Sequence, residues 1–148
     1  PGKKHKAPLK QRHELLNSLI EEIRLPNLEL NQELSSPWAI KTLHYAQGYW
    51  PDKNLTLIIG SDLIKDLPKW HDAKNILKHA TIGIVPRQGW PINNQEMQII
   101  QEMGGTINLL PLDIPAAASS AIRSNPHLSY IPKAILPILK EKNLYGIS

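Results

Sequence analysis

Three short apolar runs constrain this chain more than any other feature: Leu-Thr-Leu-Ile-Ile at 55–59, Thr-Ile-Gly-Ile-Val at 81–85 and Thr-Ile-Asn-Leu-Leu at 106–110. Each is rich in β-branched residues and too short to bury itself as a helix. Between them lie stretches of about twenty residues whose apolar positions recur at helical spacing. Strand, helix, strand, helix in that order predicts an α/β fold with a parallel sheet, because parallel neighbours need a crossover long enough to hold a helix. The runs at 55–59 and 81–85 are nearly continuous rather than alternating. That is the pattern of strands covered on both faces.

The flanking segments extend the pattern. Residues 9–24 carry apolar side chains at 9, 15, 16, 19, 20 and 23, which predicts a helix ended by Pro26. Residues 28–34 read Leu-Glu-Leu-Asn-Gln-Glu-Leu, an imperfect short strand. Ser35-Ser36-Pro37 reads as an N-cap with proline at the first helical position, opening a helix to about Tyr49. Asp72 is placed to cap a helix through about His79. A helix over 93–103 is closed by Gly104-Gly105. Ser119 to Arg123 begins a short helix, and a last helix is expected over 131–143, kinked or split by Pro137. No linker, internal repeat or low-complexity tract interrupts the chain, so one domain is expected over residues 1–148.

Composition narrows the function classes. Of the 148 residues 41% are apolar and 20% charged, as in an ordinary globular domain with a real core. No apolar run reaches the eighteen residues of a membrane span. Cysteine is absent, so there is neither a disulfide framework nor a thiolate zinc site, and a cytoplasmic setting is expected. The net charge of +4 is local. Lys3, Lys4, Lys6, Lys10 and Arg12 fall in the first twelve residues with no acid among them, while the remainder holds 12 basic and 13 acidic groups. Such a segment is either a solvated tail or an anion site, most simply for phosphate. A nucleic-acid surface fits less well, because it needs a basic face with stacking aromatics, and phenylalanine is absent.

Open parallel sheets bind ligands beyond the carboxyl ends of their strands. After the first run comes Gly60-Ser61-Asp62. After the second comes Pro86-Arg87-Gln88-Gly89. After the third comes a loop ending in Ser119-Ser120-Ala121-Ile122-Arg123. One sheet edge thus collects glycines, hydroxyls, a carboxylate and two arginines, a set suited to a nucleotide. Glycine admits the ligand to the backbone, and aspartate accepts from ribose hydroxyls. Paired serines at a helix start offer N–H and O–H groups to phosphate, which arginine grips with paired hydrogen bonds. Each piece alone also has a plainer reading: a turn and cap at 60–62, a cap at 119–120, surface arginines, and a core tryptophan at Trp70.

In this order the motifs resemble those of the nicotinate mononucleotide adenylyltransferases, bacterial enzymes of NAD synthesis. The resemblance runs over residues 5–145. His5-Lys6 and Arg12 resemble the family's Pro-His-Lys segment and following arginine. Ile59-Gly60-Ser61-Asp62 with Leu67 and Trp70 resembles Ile-Gly-x-Asp…Leu-x-x-Trp. Val85-Pro86-Arg87-Gln88-Gly89 resembles Val-x-Arg-Pro-Gly, and Ser119 to Arg123 the tail of Ser-Ser-Thr-x-Ile-Arg. Ile131-Pro132 and Asn143-Leu144-Tyr145 match the close.

The resemblance implies a Rossmann-like nucleotidyltransferase fold and transfer of an adenylyl group from ATP to nicotinate mononucleotide, giving deamido-NAD and pyrophosphate. It implies that Gly60, Ser61 and Asp62 line the adenosine side, and that Ser119, Ser120 and Arg123 hold the ATP phosphates, with Arg123 and Ser120 in catalytic roles. It further implies that Trp70 stacks on the pyridine ring, that His5, Lys6, Arg87 and Trp38 contact substrate, and that Mg²⁺ arrives with ATP. No metal site of the protein's own is expected.

The sequence departs from the family in places. The family's opening Gly-x-Phe-Asp-Pro-x-His-x-Gly-His loop has no counterpart among the histidines at 5, 13, 44, 71, 79 and 127. A strand, that loop, a helix and a second strand would occupy roughly 40 residues, the scale of one βαβ unit, so an N-terminally incomplete copy is expected. The family's Ser-Tyr-Thr-x-Asp-Thr reads here Pro37-Trp38-Ala39-Ile40-Lys41-Thr42, and Ala118 replaces the first serine of the phosphate motif. The readings held beside the first are a related transferase with nicotinamide mononucleotide or phosphopantetheine as acceptor, and a non-catalytic nucleotide-binding remnant.

Overall fold

The computed structural model describes residues 7–112, 129 and 131–147. The chain divides into two compact units. One is formed by residues 34–116 and the other by residues 1–33 with 117–148.

The first unit holds the sheet. Helix α2 (Ala39–Tyr49) precedes strand β1 (Leu55–Gly60). Helix α3 (Ala73–His79) leads directly into β2 (Ala80–Val85), and α4 (Asn94–Glu102) into β3 (Ile107–Leu109). The sheet is parallel with order β1-β2-β3, Leu57 standing beside Ile82 and Ile82 beside Ile107. Ile59, Ile82 and Ile84 from the strands, Ile76, Leu77 and Ile100 from the helices, and Ile64 and Leu67 from the loop after β1 form one core. Burying each such side chain contributes about 1.5–3 kcal/mol. At Gly105 an added Cβ would lie 2.9 Å from the Ile100 carbonyl oxygen and 2.9 Å from Leu77 Cδ2, so the turn from α4 into β3 has no room for a side chain.

The second unit is built from α1 (Leu9–Ile23) and the closing segment, with α5 over Leu136–Glu141. Ala7, Ile131, Leu139, Leu144 and Ile147 are buried together, with Leu15, Ile135 and Leu136 against them. The Ser18 hydroxyl donates to the Ala134 carbonyl at 3.0 Å, and Glu14 pairs with Lys142.

Five sequence expectations need correction. Residues 28–34 form no strand. Residues 28–31 are irregular and Gln32–Leu34 form a short 3-10 helix, because the alternating leucines have no neighbouring strand to pair with. β1 is not covered on both faces: Ile58 is 62% exposed and burial alternates along the strand, while β2 is buried at five of its six positions. Asp72 does not cap α3 with its carboxylate, which accepts the Asn75 amide instead at 2.9 and 3.0 Å. Helix α2 starts at Ala39, two residues beyond Pro37, with the Ser36 hydroxyl accepting the Trp38 N–H at 3.2 Å. Pro137 takes its place in the first turn of α5, so the last helix is short and preceded by turns. Helix α4 is closed at Gly104, φ 90°, as expected, while Asn93 stands just outside it as its cap, its side chain accepting from the Gln95 N–H.

Candidate functional site

The carboxyl ends of β1 and β2 lie side by side, Gly60 opposite Val85. This register brings the segment after each strand together. Ser61 is only 5% exposed, and its hydroxyl is used twice. It accepts the Arg87 backbone N–H at 3.0 Å and donates to the Trp90 carbonyl at 2.7 Å. Arg87 to Trp90 is a tight turn closed by the Trp90 N–H on the Arg87 carbonyl at 3.0 Å, with Gly89 third at φ 83°. This turn type places its third residue in the left-handed region, which glycine adopts without strain. One hydroxyl therefore ties the end of β1 to both ends of the turn after β2.

Asp62 and Arg87 meet above this tie. Arg87 Nη1 donates to Asp62 Oδ2 at 2.9 Å, with the side chains 25% and 22% exposed. The other carboxylate oxygen, Oδ1, is buried and has no hydrogen-bond partner among the described residues. A buried acceptor without a donor costs about 1–3 kcal/mol, so it marks a place where a donor group is favoured. Gly60 makes the arrangement possible. A Cβ there would lie 2.4 Å from Asp62 Oδ1 and 2.9 Å from Arg87 Cδ.

Two tryptophans expected in substrate contact are half-buried against the sheet's core. Trp70 follows a 3-10 turn over Leu67–Lys69, its N–H donating to the Leu67 carbonyl at 3.1 Å. Trp38 precedes α2, and its ring centroid lies 4.6 Å from that of His71. Trp90, which the sequence reading did not single out, is 45% exposed on its braced turn, with Lys65 Nζ 5.2 Å from its ring centroid. The signal for it was the glycine one residue earlier, a turn marker after a strand. His5, Lys6, Ser119, Ser120 and Arg123 lie outside the described residues. Ala39 opens α2 half-buried, and Lys41 is exposed on it. Arg12 lies on α1, with Nε buried and unpartnered among the described residues.

The structure thus brings Gly60, Ser61, Asp62 and Arg87 to one sheet edge. They offer backbone approach, an acceptor with a free lone pair, and a guanidinium held by a single contact. Such a set serves a ligand carrying both hydroxyl and anionic groups.

No protein-family model matches the chain. Individual proteins do. A probable nicotinate-nucleotide adenylyltransferase of Synechocystis is 26% identical over 153 residues, spanning 98% of this chain and 76% of the relative. One from Helicobacter pylori is 32% identical over 106 residues, spanning 72% and 56%. One from Thermus thermophilus is 23% identical, spanning 98% and 77%. Among solved structures, nicotinic acid mononucleotide adenylyltransferase of Plasmodium falciparum complexed with NaAD superposes with a TM-score of 0.73 over the whole of this chain and 79% of its own. The same protein complexed with APC gives 0.70 over 96% and 78%. Both are 17% identical, and what they share with this chain is the α/β fold with its parallel sheet.

Proposed function

We propose, from the premise that this chain is a homologue of the nicotinate-nucleotide adenylyltransferases, a group of nucleotidyltransferase enzymes, that it transfers the adenylyl group of ATP to nicotinate mononucleotide, yielding deamido-NAD and pyrophosphate. One observation carries the reading. The Ile-Gly-x-Asp and Val-x-Arg segments that bear the resemblance fall at neighbouring carboxyl ends of parallel strands and join through Ser61 and the Asp62–Arg87 pair.

In this reaction a 5′-phosphate oxygen of the mononucleotide attacks the α-phosphorus of ATP in line, and the bond to pyrophosphate breaks. The attacking group is already an anion, so no strong base is needed. Alignment and neutralisation of the leaving charge supply the rate. In our reading Gly60 and Asp62 receive the adenosine, Trp70 stacks on the pyridine ring, and Arg87 with Trp38 contacts substrate. Stacking suits a flat electron-poor ring, since an aromatic face supplies area and orientation together. Ser119, Ser120 and Arg123 hold the phosphates, assisted by His5 and Lys6. Mg²⁺ enters as the ATP complex. Among the described residues no three metal-ligating side chains come together to cage an ion, and no step above depends on one. No described helix is long and apolar enough to cross a membrane. Because the reaction draws on ATP, we place it in the cytoplasm.

The test is pyrophosphate release from Mg·ATP with nicotinate mononucleotide, nicotinamide mononucleotide and phosphopantetheine in competition. We expect the acid mononucleotide to be used first. ATP binding with no pyrophosphate from any acceptor would leave a nucleotide-binding protein and end the enzymatic reading. Replacing Trp70 with alanine should raise the Michaelis constant for the mononucleotide about tenfold or more, the scale of one lost base–aromatic stack. An unchanged constant rejects the stacking role.

A further inference from the structure

The nucleotide reading of this edge makes Asp62 and Arg87 partners of the ligand, yet the structure has them bound to each other. Resting on that reading, we propose that they form an exchangeable pair. Ligand phosphate draws the Arg87 guanidinium off the Asp62 carboxylate, and the freed carboxylate then accepts hydrogen bonds from hydroxyl groups of the same ligand.

Three features support exchange rather than a fixed structural bridge. The pair is a single Nη1–Oδ2 contact at 2.9 Å, with both side chains about a quarter exposed, and ion pairs of that kind are weak. A fixed bridge would use the bidentate fork that arginine offers a carboxylate. Next, the two halves are anchored unequally. The Arg87 backbone is held by the Ser61 hydroxyl and by the turn to Trp90, so only its long side chain needs to move. Asp62 is wedged over Gly60, where its Oδ1 stands within 2.4 Å of any added Cβ. The arm swings and the carboxylate stays. Finally, Asp62 Oδ1 is buried and unpartnered among the described residues, so the carboxylate already has a vacant lone pair that Arg87 leaves unfilled. Two hydroxyl donors arriving as the guanidinium departs satisfy both oxygens.

The arrangement has a signature that a static site lacks. Polyphosphate alone must break the pair and leave Asp62 without a cation. A nucleoside alone must compete with Arg87 for the carboxylate. A nucleotide does both at once, so its two halves assist each other, and the coupling is reciprocal.

Calorimetric titration of the full chain with tripolyphosphate and with adenosine tests this. In Asp62→Asn the arginine is released in advance. Tripolyphosphate should bind about two- to fivefold tighter than to the wild type, the equivalent of one partly exposed ion pair, and adenosine should bind more weakly. Arg87→Gln should do the reverse, tightening adenosine and weakening tripolyphosphate. Opposite signs for the two probes are not what a folding defect produces. In the Asp62→Asn, Arg87→Gln double variant the tripolyphosphate gain should vanish. A gain that persists there is a plain charge effect and overturns the exchange. Both probes moving in the same direction in either single variant, or not moving, also overturns it. A wild type that binds neither probe overturns the nucleotide reading itself, and the exchange with it. If one single variant fails to fold, the other carries the same test.

Discussion

The two ends of the same strands are built differently. At the carboxyl end, side chains reach across strands: Ser61 bonds to residues 87 and 90, Asp62 to Arg87, and one carboxylate oxygen is left without a donor. At the amino end the polar bonds stay local. Gln47 donates to the carbonyls of Trp50, Pro51 and Lys53, tying down the turn between α2 and β1. His79 Nδ1 meets the Asn75 carbonyl one turn back. The cleft of about 280 Å³ at this end is lined by Gln47, Lys53, Lys78 and His79 among others, with no acid. Its cations have a simple role, since Lys78 and His79 close α3, where basic side chains complement the helix dipole. Long-range bonds and an unmet acceptor mark the end that we propose handles a ligand. Short-range bonds and basic side chains at the end of a helix mark the end that finishes the fold.

The comparison is broken most sharply at glycine. Gly60→Ala drives a methyl group into Asp62 and Arg87, and we expect kcat/KM to fall about 100-fold, the order of loss for a displacement near 1 Å in a catalytic constellation. Gly48→Ala, which meets no atom within 4 Å, should leave turnover intact. Steady-state kinetics on both proteins decides, and equal effects would erase the distinction between the ends.

Next in size, Ser61→Ala removes a buried hydroxyl that serves two strands. Urea unfolding should show a loss of about 1–3 kcal/mol, accompanied by a drop in activity as the Arg87 turn loosens. Stability lost without any change in KM would make Ser61 a purely structural tie.

The smallest effect sharpens the contrast. Gln47→Ala at the amino end should cost about 1 kcal/mol of stability and leave kcat/KM untouched. A kinetic defect there would show that the amino end also serves the reaction.

Much of this molecule was legible as periodicity. The runs at 55–59, 81–85 and 106–110 became strands because β-branched apolar residues between helical stretches have few other ways to bury themselves. The same pattern misled at 28–34. Leucine alternation predicts a strand only where a partner strand is available, and partners are a property of the fold. At the site, Gly60, Ser61, Asp62 and Arg87 were each readable from their places after strands. Their connections were not. Residues 61 and 90 are joined through a backbone carbonyl, which carries no side-chain signature, so Trp90 passed unnoticed. The pairing of Asp62 with Arg87 depends on strand register, which no local motif encodes.

The unit holding α1 is discontinuous, and this sets an order in time. Its bonds join residue 18 to 134 and residue 14 to 142, separations of 116 and 128 residues. The intervening unit of residues 34–116 pairs strands that are near neighbours along the chain. On a ribosome the strands can therefore find one another early, while α1 emerges ahead of them and must wait for residues 131–147 before its partners exist. Contacts of such span are slow to form. A helix made before the sheet is thus secured after it, and for that interval its leucines are what a chaperone would meet.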